Sequence, residues 1–132
     1  MAALSDYAEN LILNWLMRGE GETSHPTSWH IGLFTSAPND AGGGTEVSGN
    51  GYTRQSVTWD QASGTGGTTS NSTAETFTAS GGDWGTITHI GIFDASVSGN
   101  LLWHGAISGS GKTINDGDSL EFAIGAIDLT IA

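Results

Sequence analysis

The sequence predicts an all-β fold, an antiparallel sandwich of about seven or eight strands entered through one N-terminal amphipathic helix, with a jelly-roll-like arrangement open to it. Three observations carry this. Glycine accounts for 21 of 132 residues and Ser and Thr are abundant, whereas the Lys and Arg of long helices number three together. Short apolar-alternating runs are separated by turn residues every ten or so positions, as sandwiches and barrels read. A single segment departs from this: Leu4, Ala8, Leu11, Ile12, Trp15 and Leu16 recur at three- and four-residue spacing, a helical stripe.

The helix comes first. Ser5 suits its N-cap, Asp6 and Glu9 the positive end of its dipole, Arg18 the negative end, and Gly19 its closure. Such a short helix is marginal unless its stripe is buried, so Leu4, Leu11, Ile12, Trp15 and Leu16 are the candidate assembly interface. Two burials are open to it: packing on the helix's own sandwich, or packing against other subunits. Residues 1–19 form this element and residues 20–132 the sandwich, one structural domain overall. After a polar linker, strands are expected at Trp29 to Thr35, Tyr52 to Trp59, Thr73 to Ala79, Thr86 to Phe93, Leu101 to Ile107, Leu120 to Ile124 and Ile127 to Ile131, with a short one at Lys112 to Ile114. "APND", "SVSGN" and "NDGD" supply the turns, and the turn between Phe93 and Leu101 pairs its flanking runs as a hairpin. Both runs carry apolar residues on both faces, which fits central strands. Gly91 and Gly105 fall mid-strand, where a glycine marks close approach by a large group, the tryptophans being candidates. Asp40 to Gly51 and Gln61 to Asn71 read as polar surface loops, ordered only against a neighbour.

Charge narrows the partners. Fourteen acidic residues face only Arg18, Arg54 and Lys112, a formal net charge of −11. A surface that tracks phosphates needs clustered cations, so nucleic acid and anionic membrane are not expected partners. No stretch approaches the roughly 20 apolar residues of a membrane span, and Asp6 and Glu9 argue against a secretory signal, so a soluble protein is expected. Without cysteine there is neither a disulfide framework nor a thiol nucleophile.

Reactive motifs are weighed in turn. "GSGKT" at Gly109 to Thr113 resembles the end of a phosphate-binding loop, but Ala106 stands where the first glycine is needed and a turn follows in place of a helix. His89 and His104 read as cross-strand neighbours that could collect zinc with His25 or His30, yet no further ligand stands at a fixed spacing; they are expected to be structural, with no metal bound. "NDGDSLE" has oxygen ligands without the twelve-residue calcium spacing and reads as a turn. Neither a G-x-S-x-G turn nor facing carboxylates are visible, so no enzyme activity, catalytic residue or cofactor is expected. Tyr52, Trp59, Trp84 and Trp103 raise sugar stacking, against a more ordinary place in the core.

The runs "ALSDYAENLILNWLMRG", "LFTSAPNDAGGGTEVSGNGYTRQSVTW", "GDWGTITHIGIFDA" and "GNLLWHGAI" resemble, in order and spacing over nearly the whole chain, a family of small bacteriophage virion proteins labelled tail fibre proteins. The resemblance implies a β-sandwich structural subunit made in the host cytoplasm and carried on the outer surface of the particle. It brings no catalytic residues. It also suggests many copies per particle, as in capsid cement or decoration proteins that self-associate as homotrimers and clamp the major capsid protein. That role is the leading expectation, because no shaft repeat is visible. A tail fibre or other small tail or baseplate subunit is the runner-up, and a lectin-like carbohydrate-binding module is the alternative of another class.

Overall fold

The computed structural model describes residues 3–19, 25–62 and 67–131. In chain order these form β1 (Ala3–Leu4), α1 (Asp6–Arg18), β2 (His30–Ser36), β3 (Thr45–Glu46), β4 (Gln55–Ser56), β5 (Thr68–Ser70), β6 (Glu75–Thr78), β7 (Gly85–Ile87), β8 (His89–Phe93), β9 (Leu101–Ala106), β10 (Lys112–Ile114), β11 (Ser119–Phe122) and β12 (Asp128–Thr130). The fold is all-β, sandwich-like and antiparallel, with its helix at the N-terminal end, as the composition predicts.

The main sheet runs β1-β9-β8-β2-β3, and β4 pairs with β2 beside β3. β8 and β9 form the expected hairpin, with Ile90 opposite Gly105 and Ile92 opposite Trp103. Three two-stranded ladders, β7–β10, β6–β11 and β5–β12, complete the structure. Alternation turns Ile31, Leu33, Ile90 and Ile92 toward Phe77, Ile114, Leu120, Ile127 and Leu129, so the apolar core collects on the inner face of the main sheet. Asn71 is the fully buried polar residue of this region. Its Nδ2 donates to Thr73 O at 2.8 Å and Ala123 O at 2.9 Å, and its Oδ1 accepts from Ile127 N at 2.8 Å, which gives both amide hydrogens and the oxygen a partner and pins the turn before β12.

Several elements differ from expectation. Thr86 to Phe93 is two strands. Thr88 breaks the run, its N–H donating to Phe34 O and its O accepting from Ile107, so β7 joins β10 while β8 joins β2. Tyr52 to Trp59 shrinks to β4 plus an isolated bridge from Trp59 to Asn71. The supposed loop of Asp40 to Gly51 contains β3 and the buried Val47, so it is fastened to β2 by the subunit itself. The described part of Gln61 to Asn71 likewise contains β5; residues 63–66 lie outside the described set.

The occupant of the Gly91 site is also corrected. A Cβ there would stand 2.8 Å from Leu101 and 3.0 Å from Phe34 and Phe93, so phenylalanines and a leucine, not tryptophans, require the glycine. Gly32 lies directly opposite Gly91 in the β2–β8 register, and a Cβ on it would stand 3.0 Å from the same Phe93 ring. The paired glycines form a floor for that ring on the outer face of the sheet.

Candidate functional site

Helix α1 begins where its sequence says it should. Ser5 is buried, its Oγ accepting from Ala8 N at 3.2 Å and donating to Leu101 O, while its own N–H donates to Leu102 O at 2.9 Å. Asp6 N–H donates to Asp40 O at 2.9 Å, and Asp6 and Glu9 occupy the first turn. Gly19 closes the helix at φ 68°, its N–H reaching the carbonyls of Asn14 and Trp15. The start of the helix is thereby tied to β9 and to the loop after β2.

The far end is different. Of the predicted interface residues, Leu4 belongs to β1 and not to the helix, paired with Trp103. Leu11 and Ile12 are half-buried. Trp15 and Leu16 are 55% and 64% exposed, and Leu13 and Met17, which the stripe does not include, are 57% and 74% exposed. Ala8 is the only buried residue of α1. The signal for Leu13 and Met17 was present: "LILNWLM" is apolar all round the helix, so no single stripe could bury it. The subunit's own sandwich therefore covers the start of the helix and leaves its second half, four large apolar side chains, in solvent.

Beside the helix start lies a second feature that the sequence did not announce. A cavity of about 610 Å³ opens between Asp6 and Tyr7 of α1, the Ala41 to Gly44 loop, and a floor of Phe34, Glu46, Arg54 and Phe93. Arg54 Nε and Nη2 each donate to Glu46 at 2.8 Å, and its Nη1 donates to Ala95 O at 3.0 Å and Ser98 O at 2.7 Å. Its guanidinium carbon stands 3.5 Å from the Phe93 ring centroid. Tyr52 Oη donates to Glu46 at 2.6 Å and accepts from Leu33 N at 3.0 Å, between the points where β3 and β4 meet β2. Burial pushes the Glu46 carboxyl up, but the hydrogen bonds of Arg54 and Tyr52 and the arginine charge outweigh it and hold it below the ordinary carboxylate range. Burial and the Glu46 hydrogen bond raise the Tyr52 phenol well above its usual value. All three nitrogens of Arg54 are engaged in this clasp, in four hydrogen bonds, and its charge is paired with Glu46, so little of it is left for an incoming anion.

The remaining candidates disperse. Gly91, not His89, stands opposite His104, so the two histidines are diagonal neighbours. His104 Nε2 lies 2.7 Å from Asp40 Oδ1, His89 Nδ1 2.8 Å from Thr88 Oγ1, His30 Nε2 3.3 Å from Ser28 Oγ and His25 Nδ1 2.9 Å from Pro26 O. Among the described residues no three His, Asp or Glu gather as a metal site. "NDGD" is a tight turn closed by Asp118 N–H to Asn115 O at 2.9 Å, and Gly111 leads into β10. Of the four aromatic residues considered for sugar stacking, Trp84 is buried with its Nε1 donating to Asn50 O at 3.0 Å, and Tyr52 sits edge-on to it at 5.6 Å. Trp59 and Trp103 instead line a surface cleft, joined there by Trp29.

Fold and surface together define a β-sandwich subunit with an apolar helix end on its outside. The family model described as podophage GP4 fiber I protein gp80 matches residues 3–130, and the chain belongs to that family. It is a bacteriophage virion structural protein of the fibre kind. No curated protein matches it. No helix among the described residues is long and apolar enough to cross a membrane.

Proposed function

We propose that the chain is a small assembly subunit of a podophage fibre, displayed on the outside of the particle, that acts by binding and not by chemistry and joins a neighbouring virion protein through the second half of α1. One observation carries the docking: Leu13, Trp15, Leu16 and Met17 stand exposed together on a helix whose start is fixed to the sandwich. Burying each such side chain contributes about 1.5 to 3 kcal/mol, enough in sum to offset much of the roughly 4 to 15 kcal/mol that association costs. Leu11 and Ile12 of the same helix and Leu4 of β1 are half-buried, which leaves the exposed four to carry the docking.

The test is the double substitution Trp15→Ser with Leu16→Ser. Because both side chains are largely exposed, the subunit should fold with its melting temperature nearly unchanged, yet its incorporation into particles should fall at least about tenfold. Full incorporation of the folded variant would remove the helix from the interface. Capsid cement remains a second reading. The compact sandwich favours it, and there the same helix would clamp the major capsid protein, with the subunit a homotrimer. Copy number separates the two, since hundreds per particle suit a capsid lattice and about 3 to 18 suit a symmetric tail. Sedimentation of the free subunit tests the trimer.

A further inference from the structure

We infer that the cleft lined by Trp29, Trp59, Trp103 and Asp60 is a binding site for a neutral glycan. The three tryptophans come from separate stretches, the first just before β2, the second between β4 and β5, the third on β9, and all are half-buried where the core reaches solvent. Ile92, Leu102 and Leu129 form the buried floor. Trp84, by contrast, is buried with its indole N–H bonded, which is what a purely structural tryptophan does here. The cleft's volume is about 260 Å³, just below the roughly 300 to 1,000 Å³ of a drug-sized ligand's pocket, so it suits a sugar ring or the end of a short chain.

Chemistry selects the class of ligand. Indole faces carry negative quadrupole density and favour the weakly positive C–H face of a pyranose. Asp60 is exposed at the rim, and among the described residues no hydrogen bond takes up its carboxylate. Its backbone is fixed, the N–H donating to Ser70 O at 2.9 Å and the carbonyl accepting from Thr69 Oγ1. An apolar protein segment pressed into the cleft would desolvate this carboxylate without a partner, whereas sugar hydroxyls can donate to it. Among the described residues no Lys or Arg lines the cleft, and the chain carries a formal net charge of −11, so glycans bearing uronic or sialic acids are disfavoured.

The site is independent of α1, so it is tested on the free full-length subunit, and failure here leaves the docking of the helix untouched. The probes are neutral oligosaccharides of glucose, galactose, mannose and N-acetylglucosamine, with uronic acid oligosaccharides beside them, followed by saturation-transfer NMR at millimolar sugar. At least one neutral series should receive saturation at its ring C–H protons. The signal should disappear in Trp59→Ala and fall about tenfold in affinity in Asp60→Asn, with the uronic series weaker throughout. Should Trp59→Ala fail to fold, Trp29→Ala and Asp60→Asn decide. Silence from every neutral series, a preference for the uronic series, or binding undiminished by these substitutions overturns the inference. So does a folded Trp59→Ala subunit that binds sugar normally but no longer enters particles, for the cleft would then belong to a protein partner.

Discussion

The two faces of the β2–β8–β9 sheet are held by different physics. On the inner face Ile31, Leu33, Ile90 and Ile92 meet Phe77 and its neighbours, and stability there follows from apolar area, with no one contact indispensable in direction. On the outer face the same strands present Gly32 and Gly91, and upon this floor stand one ring, one guanidinium and one carboxylate, Phe93, Arg54 and Glu46, each placed by the next. Area can absorb a small change by relaxing. A stack built on directional contacts cannot, although it contains fewer atoms. Tyr52 joins the two regimes, its ring 6.4 Å from Phe77 in the core and its hydroxyl on Glu46.

Substitutions at three positions test that contrast, in descending order of effect. Phe77→Ala removes the largest fully buried side chain and should cost about 3 to 5 kcal/mol by chemical denaturation, a large fraction of the roughly 5 to 15 kcal/mol that stabilises such a domain. A cost below about 1 kcal/mol would mean that the inner face does not carry the fold. Glu46→Ala leaves Arg54, whose side chain is 8% exposed against 25% for Glu46, without its carboxylate. A fully buried pair broken this way costs about 3 to 5 kcal/mol, so with Glu46 partly solvated about 2 to 3 is expected. The milder Glu46→Gln gives the pH signature. Because the folded carboxyl titrates below its ordinary value of 4.5, its contribution is complete above that pH and is lost as pH falls through the lowered value. The stability gap between wild type and Glu46→Gln should therefore close in acid, and a gap that persists unchanged would show that charge is not what the clasp uses. The raised Tyr52 phenol acts oppositely, supporting the fold below pH 10.0 and losing that support as pH rises beyond it. Gly91→Ala, a single methyl under Phe93, should cost about 1 to 3 kcal/mol by overpacking, measured as a fall in melting temperature. A neutral result would show that the outer stack shifts as freely as a core.

Legibility in the sequence tracks how local each cause is. The caps at Ser5 and Gly19 and the strands β2, β8 and β9 depend on neighbours a few residues away, and could be read. β3 and β5 are two and three residues long in Gly-, Ser- and Thr-rich stretches, with no period to detect; pairing alone makes them strands. That Phe34 and Phe93 flank Gly91, that Arg54 reaches Glu46, and that Trp29 meets Trp59 and Trp103 are consequences of register between distant segments. The apolar second half of α1 was visible as composition, but its exposure was not, because a helix shows what it could bury and not what lies beside it.

The main sheet ends, at both margins, in strands of two residues: β1 on one side, β3 and β4 on the other. Beyond β1 the β9 margin is taken by Ser5, whose N–H and hydroxyl bond the carbonyls of Leu102 and Leu101, and between β3 and β4 the Leu33 amide is taken by the Tyr52 hydroxyl. A long free margin would invite backbone pairing between copies, without limit and without register, in an infected cell where virion proteins accumulate together. With only stubs and side-chain stoppers along its described margins, the main sheet gives copies of this subunit no long template for open-ended stacking, and encounters there are left to side chains, where geometry can decide how many join.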